Sequence, residues 1–88
     1  MSKVPNAATE IMERLKNEAT ARANVHGTGR AMQVIQNTQV ECRVVPCVVH
    51  RGKLGVRLVT KWEINARPVS AERTLWLLAQ TIEQEVMA

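Results

Sequence analysis

The chain predicts an α+β domain of two layers, and three observations carry that prediction. Apolar residues recur every three or four positions near both ends, they recur every second position in the middle, and Gly, Pro and Asn punctuate the changes of period. The expected order is an N-terminal helix, a three- or four-stranded antiparallel sheet and a C-terminal helix, with both helices on one face of the sheet. Eighty-eight residues supply one hydrophobic core, so residues 1–88 read as a single domain.

The first helix is expected over about residues 7–24. Ala8, Ile11, Met12, Leu15 and Ala19 make its apolar stripe, Asn6 is placed to cap its start, and Gly27 to stop it. The period then falls to two. Met32, Val34, Val40, Cys42 and Val44 share one parity, while Gln33, Gln39, Glu41 and Arg43 share the other, with an interruption at Gln36-Asn37-Thr38 that reads as a turn or a bulge. Pro46 lacks an N–H for a ladder, which puts its stretch at a sheet edge, a bulge or a bend. His50-Arg51-Gly52-Lys53 is a hairpin turn. The returning strand alternates most clearly, with Leu54, Val56, Leu58, Trp62 and Ile64 on the side expected beneath the helices. Asn65-Ala66-Arg67-Pro68 ends it, and Ser70 caps a second helix striped by Ala71, Leu75, Leu78, Ala79, Ile82 and Val86. Trp76 and Leu77 widen that stripe, so the second helix is expected to bury more than the first.

Charge is uneven along the chain. The net charge is +4, yet between His26 and Arg67 seven bases meet only Glu41 and Glu63, a local +5. Such a field favours acidic partners. On the strand face opposite the core lie Arg43, Arg57 and Lys61, with Arg51 and Lys53 in the hairpin turn and Arg67 after the last strand. Arg57 and Lys61 are four residues apart, hence on one face at a separation of about 13 Å. Val45, Val49 and Val59 share that face and make it partly apolar, which suits an interface. The chain has no Phe or Tyr, and its core volume rests on aliphatic residues plus Trp62 and Trp76, so a homodimer is expected.

Several chemistries fit the sequence poorly. Cys42 and Cys47 would stand about 16 Å apart on one regular strand, beyond the ~7 Å limit of a disulfide. With His26 and His50 they have zinc-ligand chemistry but not the close spacing of a zinc knuckle. The run His26-Gly27-Thr28-Gly29-Arg30 follows a helix and precedes a strand, whereas a phosphate loop precedes a helix, so a cap and a link explain it. The chain has no Asp, Ser70 is taken by capping, and Glu83 and Glu85 are not on one helix face. No enzyme, metal or cofactor is expected. The order helix–three strands–helix is similar to that of double-stranded-RNA-binding domains, but Ser70-Ala71-Glu72-Arg73 stands where those have a lysine-rich helix start, and no family is assigned.

These readings converge on a small regulatory protein that acts by binding. Its basic sheet face is expected to dock on nucleic acid or a nucleoprotein. The alternative is a phage- or plasmid-type inhibitor or adaptor that binds and blocks a host protein through an acidic surface. The first ten residues lack a signal sequence's apolar core, and no apolar run reaches the ~20 residues of a membrane helix, so a cytoplasmic location without membrane contact is expected.

Overall fold

The computed structural model describes the backbone of residues 3–51 and 53–87, and the side chains within 7–48 and 55–83. Two helices, α1 (Lys3–His26) and α2 (Ala71–Met87), flank four strands: β1 (Gly29–Ile35), β2 (Thr38–Arg51), β3 (Lys53–Ile64) and β4 (Arg67–Val69). The strands form one antiparallel sheet in the order β1-β2-β3-β4, so each is hydrogen-bonded to its neighbour in sequence. The α+β prediction holds, with four strands.

The helix α1 starts earlier than expected. Pro5 lies in its first turn, where a missing N–H costs no intrahelical hydrogen bond, so the helix runs through Asn6, which is therefore not its cap. At its other end Gly27 adopts φ 87° and its N–H donates to the Ala23 carbonyl at 2.7 Å, closing the helix as anticipated. Gly29 does a different job. A Cβ there would collide with the Ala19 carbonyl oxygen and lie 2.6 Å from the Ala23 nitrogen. The small residues Ala19, Ala23, Gly29 and Ala31 let α1 press directly onto β1, which makes this glycine a packing residue and not a flexible link.

The interruption at 36–38 is a tight turn: Ile35 pairs with Thr38, and Gln36 takes φ 54°. The β3–β4 turn has positive φ at both Asn65 and Ala66, the twist a two-residue hairpin needs. Asn65 also ties this turn to β2. Its N–H donates to the Gln39 carbonyl, and its Oδ1 accepts from the Gln39 N–H, both at 2.9 Å. Ser70 caps α2 as expected, its Oγ accepting from the Arg73 N–H at 3.1 Å.

The core lies between the sheet and the helices. Ala8, Leu15, Ala19 and Ala23 of α1 meet Ala31, Ile35, Val40, Cys42, Val44, Trp62 and Ile64 of the sheet and Leu78 of α2. Three expectations are corrected here. Met32 and Val34 do not share the face of Val40, Cys42 and Val44: they pair with Glu41 and Gln39 on the outer face and are 49% and 61% exposed, while Ala31 and Ile35 enter the core. The second helix does not bury more than the first: α1 packs along β1 and β2, whereas α2 packs chiefly on α1, with Trp76 50% and Leu75 37% exposed. Val56 and Leu58 share the face of Trp62 but are not beneath the helices, being 69% and 41% exposed. The helical layer reaches only the row of Gly29, Val44 and Thr60, whereas β2 and β3 continue through Arg51 and Lys53.

That continuation is an arm. Beyond Val44 the strand β2 has lost β1 as a neighbour and pairs with β3 alone, over about seven residues, or roughly 23 Å. Pro46 sits there, on a strand with one free edge, as a ladder-breaking residue must. The arm makes the molecule 52 × 23 × 23 Å and raises the radius of gyration to 14.7 Å. A compact chain of this length has about 12 Å.

Candidate functional site

Strand register assigns every basic residue of the middle segment to a face. Arg43 pairs with Lys61, Cys47 with Arg57, and Val45 with Val59, so Arg43, Val45, Arg57, Val59 and Lys61 all stand on the outer face, away from the helices. Arg57 and Lys61 are exposed, and Val45 and Val59 are half-buried between them. Val49 and Gly55 form the next row of that face, and Arg51 pairs with Lys53 at the end of the arm. The side chains of Val49, Arg51 and Lys53 lie outside the described residues.

Two members of the expected surface are placed differently from the rest. Arg67 pairs with Ile64, a core residue, so it projects on the helix side, where it lines a hollow with Arg73 and Leu77. Arg43 stays on the outer face but is neutralised there. Its Nε donates to Glu41 Oε2 at 2.8 Å and lies 3.2 Å from Glu63 Oε2. Arg30 reaches the other oxygen of Glu41 at 3.5 Å. The register explains this cluster. Glu41 and Glu63 are directly opposite each other, and two facing carboxylates repel unless a cation stands between them. Arg43 is the residue two positions on from Glu41 on the same face and fills that role. Glu41 is buried under these long side chains, with its carboxylate satisfied.

The outer face is therefore divided. Over the base of the sheet Arg30, Glu41, Arg43 and Glu63 form a closed ion-pair network. Toward the arm Lys61 and Arg57 carry positive charge, and among the described residues neither meets a carboxylate.

The two thiols stand apart. Cys42 is fully buried on the helix side, and burial pushes its thiol up to about 11. Cys47 is exposed on the arm with the opposite parity. His26 ends α1, and the His50 side chain lies outside the described residues. Among the described residues no helix is long and apolar enough to cross a membrane. Between α1 and α2 runs an open groove of about 340 Å³, walled by Met12, Ala71 and Leu75 and floored by Trp62. Sequence periodicity did not reveal it, because every one of those residues has core parity.

No protein-family model matches the chain, and no curated protein or solved structure is significantly similar to it.

Proposed function

We propose that the protein binds nucleic acid, alone or in a nucleoprotein, through the outer face of its β-arm. One observation carries this reading: Arg57 and Lys61 stand exposed on one face of a two-stranded ribbon that extends past the helices. A duplex major groove about 12 Å wide admits such a ribbon. Arg51 and Lys53 add positive charge at its end in the sequence, and no acidic residue lies between Val45 and Thr60. Neither tryptophan is on this face, since Trp62 is in the core and Trp76 is on α2. Contacts are thus to phosphates rather than to stacked bases, and binding is weakly dependent on sequence.

The test is fluorescence anisotropy with a labelled duplex of about two helical turns. Affinity should fall with salt with a log–log slope of about −0.9 for each phosphate engaged. The double variant Arg57→Glu/Lys61→Glu should lose binding with its circular dichroism unchanged. Binding that ignores salt, or that survives the double variant, overturns the reading.

A second reading has its own observation. Val45 and Val59 form a half-buried apolar pair flanked by the Arg43–Lys61 and Cys47–Arg57 rows, a small greasy patch ringed by base that suits an acidic protein surface. On that reading Val45→Glu abolishes capture of the partner, and duplex binding is absent.

A further inference from the structure

Between β4 and α2 lies a hollow of about 730 Å³. Ile64, Val69 and Leu77 give it an apolar wall, and its polar side chains are Asn65, Arg67 and Arg73. A concave apolar surface with a few convergent polar groups is the usual form of a small-ligand site. Here the polar groups are donors. A guanidinium only donates, and the Asn65 Oδ1 is already taken by the Gln39 N–H at 2.9 Å, which leaves the Nδ2 of that amide for a ligand. Among the described residues no carboxylate lines the hollow, and neither arginine meets one. The acids nearest in sequence are placed elsewhere: Glu63 lies 3.2 Å from Arg43 on the outer face, and Glu72 lines the α1–α2 groove. Arg30 and Arg43 also share a hollow, but Glu41 and Glu63 hold them. Both arginines of the β4–α2 hollow are positioned in advance. Arg67 follows a turn that two hydrogen bonds tie to Gln39, and the Arg73 guanidinium lies over the Trp76 ring, 4.5 Å from its centroid.

We propose that this hollow binds the terminal phosphate of a phosphomonoester. Such a group is a dianion with three terminal oxygens, and two guanidinium forks with one amide supply matching donors. A carboxylate has two oxygens, which a single fork already satisfies. A nucleic-acid backbone phosphate has two non-bridging oxygens and a sugar on either side, so it offers one acceptor fewer and bulk where the hollow closes. The apolar wall of Ile64, Val69 and Leu77 suits the carbon side of the ester. The same terminal group occurs on small phosphate esters and at the 5′ end of a nucleic-acid strand. The proposal does not rest on the nucleic-acid reading, since Arg57 and Lys61 stand on the outer face and Arg67 on the helix side.

The test is a nuclear magnetic resonance titration of the full chain with glycerol phosphate at constant ionic strength. Saturable shifts are expected at the Asn65 side-chain amide and at the Nε–H of Arg67 and Arg73. Arg67→Gln and Arg73→Gln, each checked for native circular dichroism, should each weaken binding by at least about 10-fold, the scale of one charge-assisted contact. Arg73→Lys keeps the charge but loses the fork, and should weaken binding as well, which a general attraction of anions would not show. The Arg57→Glu/Lys61→Glu protein should bind glycerol phosphate like the wild type, so failure of the arm and failure of the hollow are read separately. Competition in that background separates the two sources. Displacement by a 5′-phosphorylated oligonucleotide but not by its 5′-hydroxyl counterpart assigns the site to strand ends; displacement by neither assigns it to small esters. Displacement by both alike overturns the proposal. So does equally tight binding of dimethyl phosphate, the absence of a saturable shift at tens of millimolar, or binding that survives both glutamine variants.

Discussion

The base of the sheet and its arm are built from the same alternating pattern, yet they differ in burial. At the base, Val44, Cys42 and Trp62 are sealed under the helices; two rows farther out, Val56 and Leu58 of identical parity lie open. Alternation therefore fixes which side a residue faces, while the reach of the helical layer decides whether that side is dry. Charge shows the same contrast on the outer face. Over the base, Arg43 is consumed by Glu41 and Glu63; toward the arm, Lys61 and Arg57 meet no carboxylate among the described residues.

The sharpest way to break this comparison is a matched truncation. Leu78→Ala removes a fully buried side chain and should destabilise by about 2–5 kcal/mol in urea denaturation, whereas Val56→Ala in the monomeric state should stay within about 0.5 kcal/mol. Equal costs would mean that the arm is not the exposed element described. Gly29→Ala should destabilise by at least about 3 kcal/mol, since the added methyl meets backbone atoms of α1 that cannot rotate away; a melting temperature close to wild type would show that α1 does not press on β1.

The electrostatic half of the comparison is sharpened by Glu41→Gln. It should cost about 1–2 kcal/mol, because the carboxylate is buried while its arginines are half-exposed. It also removes one of the two carboxylates on Arg43 and leaves the outer face one charge more positive, so duplex affinity and its salt slope should rise if that face binds phosphate. The thiols give a further contrast. At pH 8 a thiol reagent should label Cys47 quickly and Cys42 only on unfolding. The Cys42 thiol titrates near 11 when folded and near 9 when unfolded, so the native state holds the proton longer. Its contribution to stability is complete below pH 9 and is lost as pH rises from 9 to 11, which pH-dependent denaturation of wild type and Cys42→Ala can separate. One substitution is expected to give a small gain: Ala66 sits at φ 69°, and Ala66→Gly should stabilise the β3–β4 turn by about 0.5–1 kcal/mol.

Much of the architecture was legible because it rests on local signals. Period changes located both helices and the long hairpin, Ser70 announced a cap, and Pro46 announced an edge, a bulge or a bend, of which the structure has the edge. The extra turns of α1 were not legible, because Pro5 looks like a helix boundary although its missing N–H is harmless in a first turn. The ion-pair network was half-legible: Glu41 and Arg43 are neighbours on one strand face, but Glu63 joins them only through pairing across the hairpin.

From the residues alone came the fold class, the faces of β2 and β3 and the placement of a basic excess in the middle of the chain, since these depend on backbone geometry and on contacts close in sequence. The faces of β1 did not, because the turn at 36–37 shifts the parity, so that Met32 and Val34 pair with Glu41 and Gln39 on the outer face while Ala31 and Ile35 are buried. The tertiary structure alone decided where the helical cover stops, that Gly29 must be bare for α1 to touch β1, and which cations among the described residues meet no carboxylate. Those are set by the packing of segments far apart in sequence, and a one-dimensional pattern carries no measure of how far one element reaches over another.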